Sequence, residues 1–220
     1  MSKTDRQLKQ DVEDELASDP QINAARIAVD VEGGAVSLRG VVDTLAGAWA
    51  AEEATRRVGG VCTIVRRLAV EVRPEHQHGD QEIATAVRSA LRWNVLVPRT
   101  VMARVDRGAV TLSGQVTWNY QREAAERAVH VIEGVVAIVD LVALVPGTSA
   151  LQHHSVLLAL QRHAMTDARS IRIEAVGSRV TLSGATSSWS SLDDAVTAAW
   201  AAPGVTEVIN RVTLVAAAGS

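Results

Sequence analysis

A chain of 220 residues with a formal net charge of -3, 47% hydrophobic and 21% charged residues, has the composition of an ordinary globular protein. Acidic residues equal or outnumber basic ones in each third of the chain, so no concentrated positive face is available to displace counterions from a nucleic acid. The single cysteine, Cys62, excludes an internal disulfide and reads as a small buried residue, and no apolar run approaches the roughly eighteen residues of a membrane span.

The N-terminal stretch MSKTDRQLKQDVEDEL is polar and lacks the apolar core of a signal peptide, so a soluble, cytoplasmic protein is expected. Leu8, Val12 and Leu16 recur four apart within Asp5 to Ala17, which predicts an amphipathic surface helix ended by Ser18-Asp19-Pro20. Ile27, Val29 and Val31 alternate with Ala28 and Asp30, and Gly33-Gly34 turns this strand into Val36-Ser37-Leu38, a β-hairpin. Gly40 falls inside the second strand, where a missing side chain marks a bulge or a close backbone neighbour. Asp43 reads as the N-cap of a second, alanine-rich helix, Gly60 as its left-handed terminator, and Val61, Ile64, Leu68 and Val70 as the apolar positions of a last strand.

The same order recurs twice. Gly114 and Gly184 match Gly40, while Gly134 and Gly204 match Gly60, keeping one spacing in three copies. Thr117 and Ser187 take the place of Asp43. Ala51, Ala54, Thr55 and Val58 of the second helix match Ala125, Ala128, Val129 and Ile132, then Ala195, Ala198, Ala199 and Ala202. Small residues dominate this face, so the helix is expected to lie close to its sheet. The fold class is therefore α+β: three tandem units, 1–74, 75–147 and 148–220, each α-β-β-α-β, with two helices on one face of a three-stranded sheet. Which strand is central does not follow from the pattern. Units of this size bury only about 60% of their unfolded surface, so contacts between neighbours are expected to add stability. The connectors Pro74 to Gly79 and Pro146 to Ser149 are short.

The units are not equivalent. The second begins with a helix from Asp80 to about Arg92, with Ile83, Val87 and Leu91 inward, and leaves it through the unusually apolar Trp93-Asn94-Val95-Leu96-Val97-Pro98. Its second helix opens with Trp118-Asn119-Tyr120. The third, with Val156, Leu160 and Ala164 in its first helix and Trp189 and Trp200 in its second, is the most apolar.

Val110-Thr111-Leu112-Ser113-Gly114, Gln121-Arg122-Glu123-Ala124-Ala125-Glu126 and Gly134-Val135 resemble the BON domain, named for bacterial osmotically induced and nodulation-related proteins. Val180-Thr181-Leu182-Ser183-Gly184 with Gly204-Val205, and Val36-Ser37-Leu38-Arg39-Gly40 with Gly60-Val61, carry the likeness into the outer units. Arg92-Trp93-Asn94 and Trp118-Asn119-Tyr120-Gln121-Arg122 are similar to the soluble multi-BON subgroup. The resemblance implies a non-enzymatic module associated with osmotic or envelope stress, with phospholipid interaction the best-known activity. It also implies alternatives: a cytoplasmic potassium-responsive binding protein, or a protein-protein adaptor.

The candidate lipid- or partner-binding residues are Trp93, Trp118, Tyr120 and Arg122. The aromatic rings suit a water–headgroup boundary, and equally a seam between adjacent units. Arg122 can meet a lipid phosphate or pair with Glu126, four residues on. His76, His78, His153 and His154 lack the ligand number and spacing of a zinc site, and Asp19, Asp106 and Asp140 are acidic turns without a defined cation cage. Ser183 to Ser191 is rich in serine but has no nucleophile elbow and no base at a fixed spacing. No catalytic residue, metal or cofactor is assigned.

Overall fold

The computed structural model describes residues 3–74, 77–145, 171–186, 188–202 and 204–215. The first unit is α1 (Asp5–Ser18), a short 3-10 turn (Ala24–Arg26), β1 (Ile27–Glu32), β2 (Ala35–Val42), α2 (Leu45–Arg57) and β3 (Thr63–Val70). The second is α3 (Asp80–Trp93), β4 (Met102–Asp106), β5 (Ala109–Val116), α4 (Asn119–His130) and β6 (Ala137–Leu144). The third shows β7 (Ile171–Val176), β8 (Arg179–Thr186), α5 (Trp189–Trp200) and β9 (Glu207–Leu214). Its expected first helix, with Val156, Leu160 and Ala164, and the connector Pro146 to Ser149 lie outside the described residues, as do His76, His153 and His154.

In each unit the middle strand of the sequence is the middle strand of the sheet: β2, β5 and β8 pair antiparallel with the strand before and parallel with the strand after. This arrangement explains the strand glycines. Gly40 and Gly114 sit opposite the start of the first strand with φ of +133° and +125°, and a side chain there would run into the carbonyl oxygens of Arg26 and Thr100. Glycine is required at both positions, for space and for backbone conformation.

The helices cover one sheet face. Leu8, Val12 and Leu16 of α1 and Ile83, Val87 and Leu91 of α3 are buried against Val36 and Leu38, and against Val110 and Leu112, respectively. Ala51, Ala54, Ala125 and Ala199 are likewise buried, so the small-residue face does bring the second helix onto the strands. Among the described residues both first helices, α1 and α3, are also latched to their hairpins. Asp5 accepts from the backbone N–H groups of Gly33 and Gly34, and Asp80 from those of Arg107 and Gly108, the latter two bonds 2.8 Å long.

Three local expectations need correction. The second helices start one residue later than Asp43, Thr117 and Ser187. Thr44 and Ser188 cap α2 and α5 by accepting from Gly47 and Ser191, while Gln121 reaches back to the backbone N–H of Thr117 and Trp118. Asp43 is diverted because Arg73 and Arg26 both reach its carboxylate at 2.7 Å. Gly60, Gly134 and Gly204 do have positive φ, but they lie in the turn beyond helices ending at Arg57, His130 and Trp200, so they aim the chain into the last strand instead of closing the helix. Cys62 is half-buried in that turn, in line with Gly34, and not in a core.

The second helices also join the units. Leu45 is buried in the core cluster of the second unit, with Trp49 and Val70 packed beside it, and the Trp49 ring stacks on His130 at the end of α4. Arg122, early in α4, lies 5.3 Å over the ring of Trp200 at the end of α5. Trp189 and Asp193, early in α5, meet Arg56 at the end of α2: Arg56 stands 5.0 Å over the Trp189 ring and 3.8 Å from the Asp193 carboxylate. Arg56, His130 and Trp200 occupy equivalent positions of the repeat. The start of each second helix therefore meets the end of the next unit's second helix, and the third returns to the first. Head-to-tail interfaces of one kind that return to the start make a closed ring.

Candidate functional site

The strongest departure from the shared scaffold lies where α3 of the second unit ends. Asn94 caps the helix with its backbone N–H on Ala90, its side-chain oxygen accepts from Leu96 N–H at 3.0 Å, and its side-chain NH2 reaches the carbonyl of Ala124 in α4. These bonds hold Trp93 and Val95 outward. Trp93 is 76% exposed and Val95 96%, and Leu96 and Met102 are also exposed. Below them runs a groove of 650 Å³ between α3, the loop after it and β4, with Leu91, Val97, Pro98 and Val101 as its apolar wall.

Three arginines, Arg88, Arg92 and Arg99, line the same groove, and no carboxylate does. Arg88 and Arg92 are one helical turn apart on the exposed side of α3, and Arg92 stacks 6.0 Å from the Trp93 ring. Arg104 extends the positive edge along β4. An apolar tip beside long cationic side chains can bury its apolar part while the guanidinium groups stay in water.

The four sequence-derived candidates divide between two places. Trp93 is at this tip. Trp118 and Tyr120 stack on each other at the start of α4, with ring centroids 6.4 Å apart, and Tyr120 is 48% exposed. Tyr120 lies one turn ahead of Ala124, the residue that Asn94 contacts, and so borders the same end of the unit. Arg122 points elsewhere. Its ion pair is with Asp140, at 3.5 Å, not with Glu126, and its guanidinium covers Trp200 in the seam with the third unit. Strand pairing explains the change of partner, since β6 passes beneath α4 and carries Asp140 under the helix.

Sequence reasoning missed two sets of residues. Arg88, Arg92 and Arg99 carried a usable signal, an i, i+4 basic pair followed by a third arginine just past an apolar helix exit. Trp49 and His130 carried none, because each looks like an ordinary helix residue until the units are placed together. Of the other candidates, His78 pairs with Glu82 and Glu133 at 3.5 and 3.4 Å, and Asp19 with Arg57 at 3.6 Å. No group of three potential metal ligands occurs among the described residues. Among them no helix is long and apolar enough to cross a membrane.

The fold defines a class of small α+β modules repeated in tandem. The family model described as BON domain matches three times, at residues 4–72, 79–146 and 155–216, and the chain belongs to that family of non-catalytic binding domains. No curated protein sequence matches it. Two solved structures of CdsD, a structural protein of the type III secretion system of Chlamydia trachomatis, are similar to it at 13% and 14% identity. They cover 94% and 95% of this chain and 97% and 92% of their own, each with a TM-score of 0.26, too low to bear on the site.

Proposed function

We propose that this chain is a non-catalytic binding and scaffold protein that docks on anionic phospholipid surfaces from the cytoplasm, in the osmotic or envelope stress setting that the family resemblance implies. Taking 1–74, 75–147 and 148–220 as the units, the docking site belongs to the second. The observation that carries this reading is the exposed tip of Trp93, Val95, Leu96 and Met102 beside Arg88, Arg92 and Arg99. Trp93 enters the headgroup boundary, where indole rings are favoured, and the arginines meet lipid phosphates at about 1 kcal/mol each. Tyr120 and Trp118 flank the contact. Arg122 supports it indirectly, by holding the second unit against the third.

Flotation with vesicles containing phosphatidylglycerol tests the reading. The protein is expected to float at low salt, to float less as salt rises, and to remain behind with purely zwitterionic vesicles. Failure to float with anionic vesicles at low salt would sink it.

A further inference from the structure

We infer that the seam between the third and first units is also a self-association surface, whose partner is a second copy of this chain. This follows from how the ring closes. Each unit offers one helix start and one helix end, and the three seams pair them in the same sense: Trp49 with His130, Arg122 with Trp200, and Trp189 with Arg56. An interface of this kind is heterologous, and its two halves are complementary without being identical. The first two seams join units that are neighbours in the sequence. The third joins the ends of the chain. When it opens, one helix start, on α5, and one helix end, on α2, are left unmatched on the same molecule. They can be satisfied again by each other or, when the seam of Arg122 with Trp200 opens as well and the third unit moves out, by the corresponding halves of another copy, which remakes both seams.

The seams also differ in what opening them costs. At the first, Leu45 is inside the core of the second unit, so separation would expose apolar surface of both units. At the third, the described contacts are polar: the indole N–H of Trp189 donates to the Val61 carbonyl at 2.8 Å, and Arg56 is held by Asp193 as well as by Glu52 of its own helix, 2.9 Å away. A groove of 350 Å³, lined by Arg57, Val58, Gly60, Ser188 and Trp189, remains between the two units. The third unit's core cluster shares no residue with those of the first and second, so both of its seams can open with the cores intact and the third unit can exchange as an identical element between copies.

A charge swap separates closure within one chain from closure between chains. R56E and D193R each place like charges across the seam and are expected to weaken it; neither residue belongs to a core. In an equimolar mixture of the two variants every closure within a chain is repulsive. Both closures between the two kinds of chain are attractive, one with the charges exchanged and one native. Light scattering after size exclusion is expected to give a twofold mass for the mixture and the single-chain mass for each variant alone. The double variant R56E/D193R, attractive within one chain, is expected to return to the single-chain mass and shows that the substitutions leave the units folded. A mixture that stays at the single-chain mass overturns the proposal, as does a doubled mass for either variant alone.

Discussion

The Trp49 indole lies flat on the His130 imidazole, with ring centroids 4.4 Å apart and planes 10° from parallel, and this stack joins the first unit to the second. Burial in the seam lowers the His130 pKa below its ordinary 6.5, so the folded protein favours the neutral ring. The unfolded chain binds the proton more readily. The stability that His130 contributes is therefore fully present above about pH 6.5 and is lost as pH falls through the lower folded value. Thermal unfolding is expected to show a melting temperature that declines on acidification below this point. His130→Phe, which keeps a ring on Trp49 without a titrating group, should flatten that part of the profile. An unchanged slope in the variant would count against the assignment.

Glu126 lies near the same seam with the opposite sign. Burial, then the neighbouring Asp140 carboxylate, raise its pKa above the ordinary 4.5. The folded state holds this proton more tightly than the unfolded chain, so its contribution is present below about pH 4.5 and is lost as pH rises through the folded value. At neutral pH the ionised group is a cost. Glu126→Gln should melt higher than the native protein at pH 7, with the advantage vanishing toward pH 4.

The backbone at Gly114 leaves no room for a methyl group, since one would meet the Thr100 carbonyl oxygen at a φ of +125°. Strained backbone of this type costs about 1–3 kcal/mol, and displacing the first strand adds to it. Gly114→Ala is expected to lower the unfolding free energy, read by denaturant titration, by at least that amount. Gly177→Ala, where the added atom meets nothing within 4 Å but φ is +62°, bears the conformational cost alone and should lose less.

Leu112 is fully buried in the middle strand of the second unit, under both of its helices. Leu112→Ala should cost about 2–5 kcal/mol, read by urea titration. Leu45→Ala removes a side chain that crosses from one unit into the core of the next, so it should destabilise the second unit although its own backbone belongs to the first. Hydrogen exchange in β5 and β6 is the measurement that shows it.

At the Trp93 tip, Trp93→Ala and the triple change of Arg88, Arg92 and Arg99 to Gln should both reduce flotation while leaving the folding stability within about 1 kcal/mol of native, since these side chains are exposed. The arginine variant is expected to lose salt dependence, and the tryptophan variant to keep it.

The order of elements was legible because local physics sets it. Leu8, Val12 and Leu16 can share a buried face only in a helix, Ile27, Val29 and Val31 only in a strand, and Gly40 inside a strand pointed to a bulge or a close backbone neighbour, which is the Arg26 carbonyl. The caps were misplaced by one residue because Asp43, a good cap by type, is claimed by Arg73 and Arg26 from elsewhere in the fold, leaving Thr44 to accept from Gly47. The apolar exit Trp93 to Pro98 was visible in the sequence. The positive groove around it was legible only in part: Arg88 and Arg92 form a readable i, i+4 pair, but Arg99 joins them only once the loop folds back beside α3.

The sequence alone determined three repeated units, the α-β-β-α-β order of the first two and the β-β-α-β order of the third's described residues, with their hydrophobic faces and the glycines that let the strands approach, since periodicity and steric exclusion act over a few residues. The tertiary structure decided that β2, β5 and β8 are central and that Trp49 meets His130, Arg122 meets Trp200, and Trp189 meets Arg56. Contacts across tens of residues depend on how whole units pack, and a side chain's type does not say whether the surface it covers belongs to its own unit or to the next.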